Sequence, residues 1–230
     1  MKVLLGTTNP SKVKRFSNLL KGCDIEFITL KDIEITDESK EDGATPEENA
    51  ISKAKFYGQY YDTVICNDSG LYFEELALDD TRQPGLNIRT PMNMKRLSDD
   101  EIIEYYSKLI SKLGGKVSAY YLDGIAVYNK GKIFSFMDPE VAQKTGVFYM
   151  IDAASPKRFE GWPLDSLSIN KETGVYFVDS RVIETKENTI KGQYEKSIVD
   201  FWRNLYILLN GRNYMTIVKF YDEVDDSLLK

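Results

Sequence analysis

The sequence lacks histidine altogether, although it is 230 residues long. That absence excludes Ser-His nucleophiles, histidine-ligated zinc and acid–base catalysis by imidazole. Hydrolytic chemistry in this chain must therefore depend on carboxylates, hydroxyls, lysines or a hard metal ion bound by oxygen ligands. Among such ions Mg²⁺ fits the available side chains best, with another divalent cation such as Mn²⁺ as the alternative.

Long apolar runs and cysteines are also scarce. No stretch approaches the roughly 20 apolar residues that a membrane-spanning helix needs, and residues 3–5 are too few for the apolar segment of a signal peptide. The two cysteines, Cys23 and Cys66, each lie in an apolar context, which favours reduced core thiols over a disulfide. These features predict a cytoplasmic protein with no membrane partner.

A basic surface is missing as well, because the net charge is −6. This balance argues against binding of a nucleic-acid polymer, but it leaves a small polyanion open as a ligand. A composition of 42% hydrophobic and 29% charged residues is typical of a globular protein. The length fits one large α/β domain or two small ones; we expect a single domain over residues 1–230, with a C-terminal helical extension over residues 213–230.

The most informative motif, Thr7-Thr8-Asn9-Pro10-Ser11-Lys12, follows a short apolar strand. Asn9 suits the N-cap of a helix, and Pro10 suits the first helical position because an N–H there would have no partner. Backbone donors and the positive end of the helix dipole then converge beside the Thr7 and Thr8 hydroxyls and Lys12. The segment predicts an anion site; an ordinary strand–turn–helix with a good cap is an equal alternative.

Two further helix starts carry a similar signal. Thr45-Pro46-Glu47-Glu48 predicts a helix through about Tyr60, with Thr45 as N-cap and Glu48 completing a capping box. Ser98-Asp99-Asp100-Glu101 predicts another helix to Leu113, ended by Gly114-Gly115. Apolar residues at helical spacing predict one more helix over residues 193–209.

Short runs of β-branched and aromatic residues predict the strands. Residues 25–30 and 63–67 are expected to be strands, and the second ends in Asp68-Ser69-Gly70, at the kind of strand end where ligands collect in α/β sheets. Residues 116–122 and 124–129 are expected to form antiparallel strands, followed by a turn over residues 129–132. Taken alone, Asp68-Ser69-Gly70 is more typical of a turn after a strand than of catalysis.

Several motifs occur together in a fixed order: Thr7-Thr8-Asn9-Pro10-Ser11-Lys12, Glu41-Asp42-Gly43, Pro46-Glu47-Glu48-Asn49-Ala50-Ile51-Ser52-Lys53-Ala54 and Asn67-Asp68-Ser69-Gly70-Leu71. Pro84-Gly85 follows, and Phe159-Glu160-Gly161-Trp162-Pro163-Leu164-Asp165 is a longer version of a Phe-Gly-Tyr/Trp-Asp motif. In this order and spacing the chain resembles the inosine triphosphate pyrophosphatases. The resemblance implies a two-lobed α/β fold around a long mixed β-sheet with flanking helices. It also implies hydrolysis of non-standard purine nucleoside triphosphates to monophosphate and pyrophosphate.

The resemblance further implies a role for individual residues. Residues that would bind the triphosphate are Thr7, Thr8, Asn9, Lys12, Lys53 and Ser69. Glu41 and Asp68 would bind Mg²⁺, and Asp68 would also be the base that activates water. Phe159, Trp162 and Asp165 would form the pocket for the nucleobase, and the family precedent implies a homodimer.

Each of these roles has a structural alternative. Glu41 lies in an acidic run that is by default a solvated loop, Lys53 fits an exposed helix position, and Glu48 fits a helix cap that needs no metal. Phe159 and Trp162 fit core packing, but their proline- and charge-rich surroundings favour a loop in which they stack on a base.

The sequence departs from the pattern of that family in two single residues and one short stretch. Asn67 stands where an acidic residue usually precedes the catalytic aspartate, and Arg15 stands where the first helix usually carries glutamate. Lys191-Gly192-Gln193 aligns with a Ser-His-Arg whose last two residues contact the purine. The preferred base can therefore differ from that of inosine or xanthosine triphosphate. Two alternatives stay open: a nucleotide-binding or regulatory protein with weak turnover, and a pyrophosphatase for a different modified or pyrimidine nucleotide.

Overall fold

A computed structural model describes residues 1–20, 25–184, 192–209 and 219–221 of the chain. Helices flank a mixed β-sheet, which confirms the predicted fold class. The chain divides into two compact units: unit 1 comprises Met1–Ser69, Asp123–Asp138 and Gln193–Lys230, and unit 2 comprises Gly70–Leu122 and Pro139–Gly192. None of the described helices is long and apolar enough to span a membrane.

Eight strands and six α-helices occur within the described residues. The strands are β1 (Lys2–Leu5), β2 (Glu26–Thr29), β3 (Thr63–Phe73), β4 (Lys116–Asn129), β5 (Lys132–Phe136), β6 (Phe148–Ile151), β7 (Ser168–Ile169) and β8 (Lys219–Tyr221). The helices are α1 (Pro10–Leu19), α2 (Pro46–Tyr57), α3 (Asp99–Lys112), α4 (Pro139–Thr145), α5 (Phe177–Glu184) and α6 (Gly192–Leu209). Single 3₁₀ turns lie at Pro91–Asn93 and Pro163–Ser166.

Unit 1 is built on three parallel strands. β1 lies between β2 and β3 and pairs in parallel with both, so that Leu4 is opposite Ile28 of β2 and Val64 of β3. Parallel neighbours need crossover connections, and α1 and α2 provide them between β1 and β2 and between β2 and β3. Leu4 and Val64 belong to an apolar core, into which α2 packs the small residues Ala50 and Ala54. This arrangement brings α1 and α2 to the strands that carry the predicted site residues.

The β4–β5 hairpin confirms the turn predicted over residues 129–132. Asn129 pairs with Lys132, and the two residues between them, Lys130 and Gly131, have φ angles of 48° and 90°. Two consecutive left-handed residues are what a two-residue hairpin turn requires, because its twist then matches that of the strands.

Unit 2 has its own apolar core, in which Tyr106, Ile110 and Met150 are fully buried. α3 begins with a complete capping box: Ser98 Oγ accepts from the N–H of Glu101, and the Glu101 carboxylate accepts from the N–H of Ser98. Both hydrogen bonds of the capping box, and the helix that follows them, are as the sequence predicts.

β3 differs from its sequence prediction because it does not end before Asp68. It continues to Phe73, since Leu71 and Phe73 are buried in the apolar core of unit 2. Asp68-Ser69-Gly70 therefore lies inside a strand and is neither a turn nor a strand end.

β4 is likewise one strand of 14 residues where two were predicted. Asp123 and Gly124, which separate the two predicted strands, both belong to it. Gly124 makes the continuous path feasible, because a Cβ at this position would lie 2.1 Å from the carbonyl carbon of Pro46 at the start of α2. The glycine serves close packing between a strand and a helix, and does not mark a break.

Other differences are smaller. α2 ends at Tyr57, before Tyr60. The predicted capping box is incomplete, because the Glu48 carboxylate accepts from the N–H of Ala44 at 2.7 Å and not from the N–H of the N-cap residue Thr45. Lys219–Tyr221, inside the predicted helical extension over residues 213–230, forms β8 because it pairs antiparallel with residues 133–135 of β5. The rest of that extension, together with Cys23 and Lys191, lies outside the described residues. Cys66 is a buried free thiol, as predicted, and burial raises its pKa to about 12.

Candidate active site

The first helix starts as its sequence predicts. Asn9 is the N-cap of α1, and its side-chain oxygen accepts from the N–H of Ser11 at 2.9 Å, with Pro10 as the first helical residue. Thr7 Oγ1 in turn accepts from the N–H of Asn9 at 3.2 Å, whereas Thr8 is exposed. The turn between β1 and α1 is therefore fixed by two side-chain acceptors, and the amino end of a ten-residue helix lies directly after it.

Lys12 extends from the first turn of α1 to β3, where its ammonium donates to the backbone oxygen of Asn67 at 3.3 Å. Burial lowers the pKa of Lys12, and the ammonium of Lys53 lowers it further, against the opposing effect of Asp68 and Asp123. A positive charge held under these conditions gains from an added anion, because the anion offsets both the lost hydration and the repulsion.

Asp68 is buried on the face of β3 that meets α2. Asn49 Nδ2 donates to its Oδ2 at 2.8 Å, and Lys53 Nζ donates to its Oδ1 at 3.1 Å. Asn49 and Lys53 are four residues apart and therefore lie on the same face of α2, so that each reaches one carboxylate oxygen. Asn49 also accepts from the N–H of Gly43 at 2.8 Å, which ties the preceding loop to this cluster.

Glu41, from that loop, shares the ammonium of Lys53 with Asp68. Its Oε1 lies 2.8 Å from Lys53 Nζ, and its side chain is 53% exposed, compared with 12% for Asp68. Burial alone would lower the pKa of Lys53, but the carboxylates of Asp68 and Glu41 raise it above its ordinary value. The two carboxylates predicted to bind a metal thus face one positive charge, and one of them is open to solvent.

The opposite face of β3 carries a second polar group. Because side chains alternate along a strand, Asn67 and Ser69 project away from α2. Asn67 Nδ2 donates to Asp123 Oδ1 at 3.1 Å, Ser69 Oγ donates to the same oxygen, and Arg15 of α1 pairs with Asp123 Oδ2 at 2.9 Å. Burial would raise the pKa of Asp123, but Arg15 and these hydrogen bonds lower it to about 2.

The predicted base-pocket residues lie in unit 2. Phe159 and Trp162 are half-buried in a turn-rich segment, and Asp165 is buried within the 3₁₀ turn that follows. Two successive backbone hydrogen bonds join them, from the N–H of Trp162 to Phe159 and from the N–H of Asp165 to Trp162. The three residues are therefore neighbours in one local structure.

The side chains available to a metal ion are oxygen donors. Across residues 1–20, 25–184, 192–209 and 219–221, no group of three or more acidic or cysteine side chains could by itself hold a metal ion. Glu41 and Asp68 form a pair of carboxylates around one cation. Mg²⁺ is commonly bound by one or two carboxylates together with substrate phosphates, so this donor set fits that ion.

Sequence reasoning missed the roles of Asn49, Asp123 and Arg15 in this cluster. Asn49 was detectable, since it lies four residues before Lys53 on a predicted helix. Asp123 interrupts an otherwise apolar and aromatic run, and a carboxylate in such a run indicates a buried charge with a partner. Its partner Arg15 is 108 residues away, and no local pattern connects the two.

The sequence matches a known protein family over more than half of its length. The model of a family described as the Ham1 family matches residues 3–142 of this chain. The chain is similar to a protein of Thermoanaerobacter sp. named dITP/XTP pyrophosphatase, at 33% identity over 137 residues that cover 57% of this chain and 65% of the relative. The match thus spans less than two thirds of that relative's length. A Legionella pneumophila protein of the same name is 27% identical over 164 residues, which cover 71% of this chain and 78% of the relative.

A solved structure has a fold similar to that of this chain. A HAM1 protein from Coxiella burnetii superposes on this chain with a TM-score of 0.64 at 19% sequence identity. The superposition covers 91% of this chain and 98% of that structure. At this level of identity the likeness concerns the path of the backbone.

Proposed function

Because the chain belongs to the Ham1 family, we propose that it hydrolyses nucleoside triphosphates to nucleoside monophosphates and pyrophosphate. The observation that carries this proposal is the cluster in unit 1, where Lys53 pairs with the buried carboxylate of Asp68 and Lys12 reaches the neighbouring Asn67 backbone from a capped helix start. Relatives named dITP/XTP pyrophosphatase support the same class of reaction.

Phosphate binding is assigned to the first turn of α1 in this proposal. The positive end of the helix dipole favours an anion at this helix start. Thr7, Thr8 and Asn9 would line this position, and Lys12 would add a charge-assisted hydrogen bond. The lowered pKa of Lys12 supports the assignment. It means that Asp68 and Asp123 do not fully compensate the charge of the buried ammonium, which a bound phosphate would stabilise further. Lys53 would contact the phosphates from α2. The hydroxyl of Ser69 lies on the opposite face of β3, where it donates to Asp123, and is therefore not assigned to the phosphates in this proposal.

Asp68 would act as the base. In the proposed step a water molecule attacks the α-phosphorus, its proton passes to Asp68, and the bond from the α-phosphorus to the bridging oxygen breaks as pyrophosphate leaves. Asn49 and Lys53 support this role because each holds one oxygen of the carboxylate, so the side chain cannot rotate freely. A base fixed in this way loses little entropy when it meets the water.

Glu41 and Asp68 would hold the divalent cation, Mg²⁺ or Mn²⁺. The support is that both carboxylates already face a single positive charge and that their oxygens are the ligands such ions prefer. When bound, the ion would neutralise negative charge on the phosphate oxygens as pyrophosphate departs.

The nucleobase is the least constrained part of the proposal. Phe159 and Trp162 would stack on a base and Asp165 would face its edge, but stacking accepts every base. Lys191-Gly192-Gln193 replaces the sequence by which the resembling family reads purines, and this departure favours a second candidate: turnover of a different modified or pyrimidine nucleotide by the same chemistry.

A screen of pyrophosphate release over inosine, xanthosine, adenosine, guanosine and pyrimidine triphosphates tests the activity and the base preference together. We expect turnover with Mg²⁺, none in excess chelator, and an inosine-to-adenosine ratio of kcat/KM below ~10². Absence of turnover with every nucleotide would leave the alternative of a nucleotide-binding protein. A ratio above ~10², or about 2.7 kcal/mol, would contradict the expected loss of base reading.

The homodimer, the cytoplasmic location and the single-domain organisation belong to the same proposal. Light scattering coupled to size-exclusion chromatography tests the dimer, and cell fractionation tests the location. One cooperative unfolding transition by both fluorescence and circular dichroism would support a single domain, whereas two separate transitions would contradict it.

A further inference from the structure

The polar group on the β4 face of β3 is nearly closed to solvent. The side chains of Asp123 and Arg15 are 3% and 21% exposed, compared with 53% for Glu41 on the other side of the strand. A buried ion pair is weak evidence for stability by itself, because desolvation of two charges offsets much of their attraction. The contacts that this pair makes are therefore more informative than its presence.

Those contacts concentrate on the residues at either side of Asp68. Asp123 Oδ1 accepts from both Asn67 Nδ2 and Ser69 Oγ, and Arg15 occupies Oδ2. Asn67 Nδ2 also donates to the backbone oxygens of Asp68 at 2.9 Å and Gly124 at 3.1 Å. One carboxylate thus holds the strand immediately before and immediately after Asp68.

Alternation along the strand gives this arrangement a consequence. With Asn67 and Ser69 held against β4, the side chain between them must point to the opposite face, toward Asn49 and Lys53. We propose that Asp123 is a positioning residue, which fixes the backbone of residues 67–69 and so directs the Asp68 carboxylate into the candidate site. Turnover as a readout of this inference rests on the proposed function.

The chemistry at position 67 offers a sharp test. Its amide group donates to Asp123 and to two backbone oxygens, so an aspartate in its place would bring two carboxylates together at about the present 3.1 Å separation. If position 123 becomes asparagine at the same time, its amide can donate back to the new carboxylate. The pair then keeps one negative charge and one hydrogen bond with the direction reversed.

The experiment is a double-mutant cycle with Asp123→Asn, Asn67→Asp and the variant that carries both. We expect each single substitution to lower kcat about 10- to 100-fold, since displacement of a catalytic group by ~1 Å can cost ~10²-fold, while KM changes less than about 3-fold. The double variant should be at least ~10-fold more active than the product of the single effects. Glu47→Gln is the matched control, because Glu47 is a buried carboxylate of unit 1 whose partner is Ser135.

A second readout does not need turnover. The ¹³Cγ resonance of Asp68, assigned by its loss in Asp68→Asn, should shift in Asp123→Asn and return toward the wild-type position in the double variant. Unchanged kcat and an unchanged resonance in Asp123→Asn would overturn the inference. Strictly additive effects that follow the melting temperature would also overturn it. An inactive wild type would contradict the proposed function alone, because the resonance would still decide whether Asp123 positions Asp68.

Discussion

The two faces of β3 hold polar groups in different ways. On the α2 face, Asp68 meets Asn49 and Lys53, which come from a single helix at a spacing of four residues. On the β4 face, Asn67 and Ser69 meet Asp123, which is more than 50 residues away and belongs to another strand. The α2 face continues to a solvent-exposed carboxylate, whereas the β4 face is closed.

This difference suggests a division of work within one strand. An open face on which one ammonium group lies between two carboxylates can admit a charged ligand, and a closed face whose polar groups are hydrogen-bonded to one another can hold the strand in place. Substitution of Asp68 on the α2 face should therefore change activity more than stability, and substitution of Asp123 on the β4 face should affect both.

The largest effect is expected from Asp68→Asn. Loss of a positioned base typically lowers kcat by ~10²- to 10⁴-fold, while the side-chain volume is unchanged. Pyrophosphate release and thermal unfolding should be measured together. Asp80→Asn is the control, because Asp80 pairs with Arg82 on the surface of unit 2. Full turnover by Asp68→Asn would contradict the proposed mechanism.

Lys53→Met tests the ion pairs of the α2 face. The Lys53 side chain is 11% exposed and holds two carboxylates, so its removal should lower the free energy of unfolding by about 3 kcal/mol. Since the pKa of Lys53 is raised in the folded protein, its contribution should be complete below the ordinary value near 10.5 and should disappear as pH rises through the raised value.

Urea unfolding of Lys53→Met at pH 7 and at alkaline pH measures that effect. Lys55→Met, an exposed lysine on the same helix, is the matched control and should change the free energy by less than about 0.5 kcal/mol. If the two variants unfold alike, the shared ammonium does not stabilise the cluster.

Lys12→Ala should weaken triphosphate binding without loss of stability. A charge-assisted hydrogen bond to phosphate is worth roughly 1.5–3 kcal/mol, or about 10- to 150-fold in Kd. Burial and Lys53 lower the pKa of Lys12, so its charge is unfavourable in the unliganded protein and the melting temperature should stay constant or rise. Isothermal titration with a non-hydrolysable triphosphate measures the affinity. Lys14→Ala, exposed on the same helix, serves for comparison; equal affinities would leave α1 with a structural role only.

The same comparison explains what the sequence could predict. The starts of α1 and α3 could be predicted, because a helix cap depends on residues that are only two or three positions apart. The placement of Asp68 inside β3 depends on burial of Leu71 and Phe73 in unit 2, and the continuity of β4 depends on the contact of Gly124 with α2. The short elements α4, α5, β6 and β7 were not predicted, since isolated helices and strands of that length owe their stability to tertiary packing.

The departures from the family pattern become intelligible in the same terms. Arg15 and Asn67 are unrelated in the sequence, yet both contact Asp123. A cation at position 15 and an amide at position 67 are compatible with a carboxylate between them, whereas two further acids would repel it. Only the folded structure, in which α1, β3 and β4 meet, shows that these three residues form one hydrogen-bonded cluster.

The smallest effect is expected from the pH dependence of Asp123→Asn. The pKa of Asp123 is lowered to about 2 in the folded protein, below its ordinary value of 3.8, because Arg15, Ser69 and Asn67 stabilise the ionised form. A group whose folded pKa is lowered stabilises the protein above the unfolded value and loses that contribution as pH falls through the folded one. Wild type should therefore exceed Asp123→Asn by about 2 kcal/mol at pH 7, and the difference should shrink from about pH 4 toward about pH 2. Urea unfolding of both proteins at pH 7, 5, 4 and 3 measures this difference, in which all other carboxylates cancel. A difference that does not change with pH would mean that the Asp123 charge is not what stabilises the β4 face.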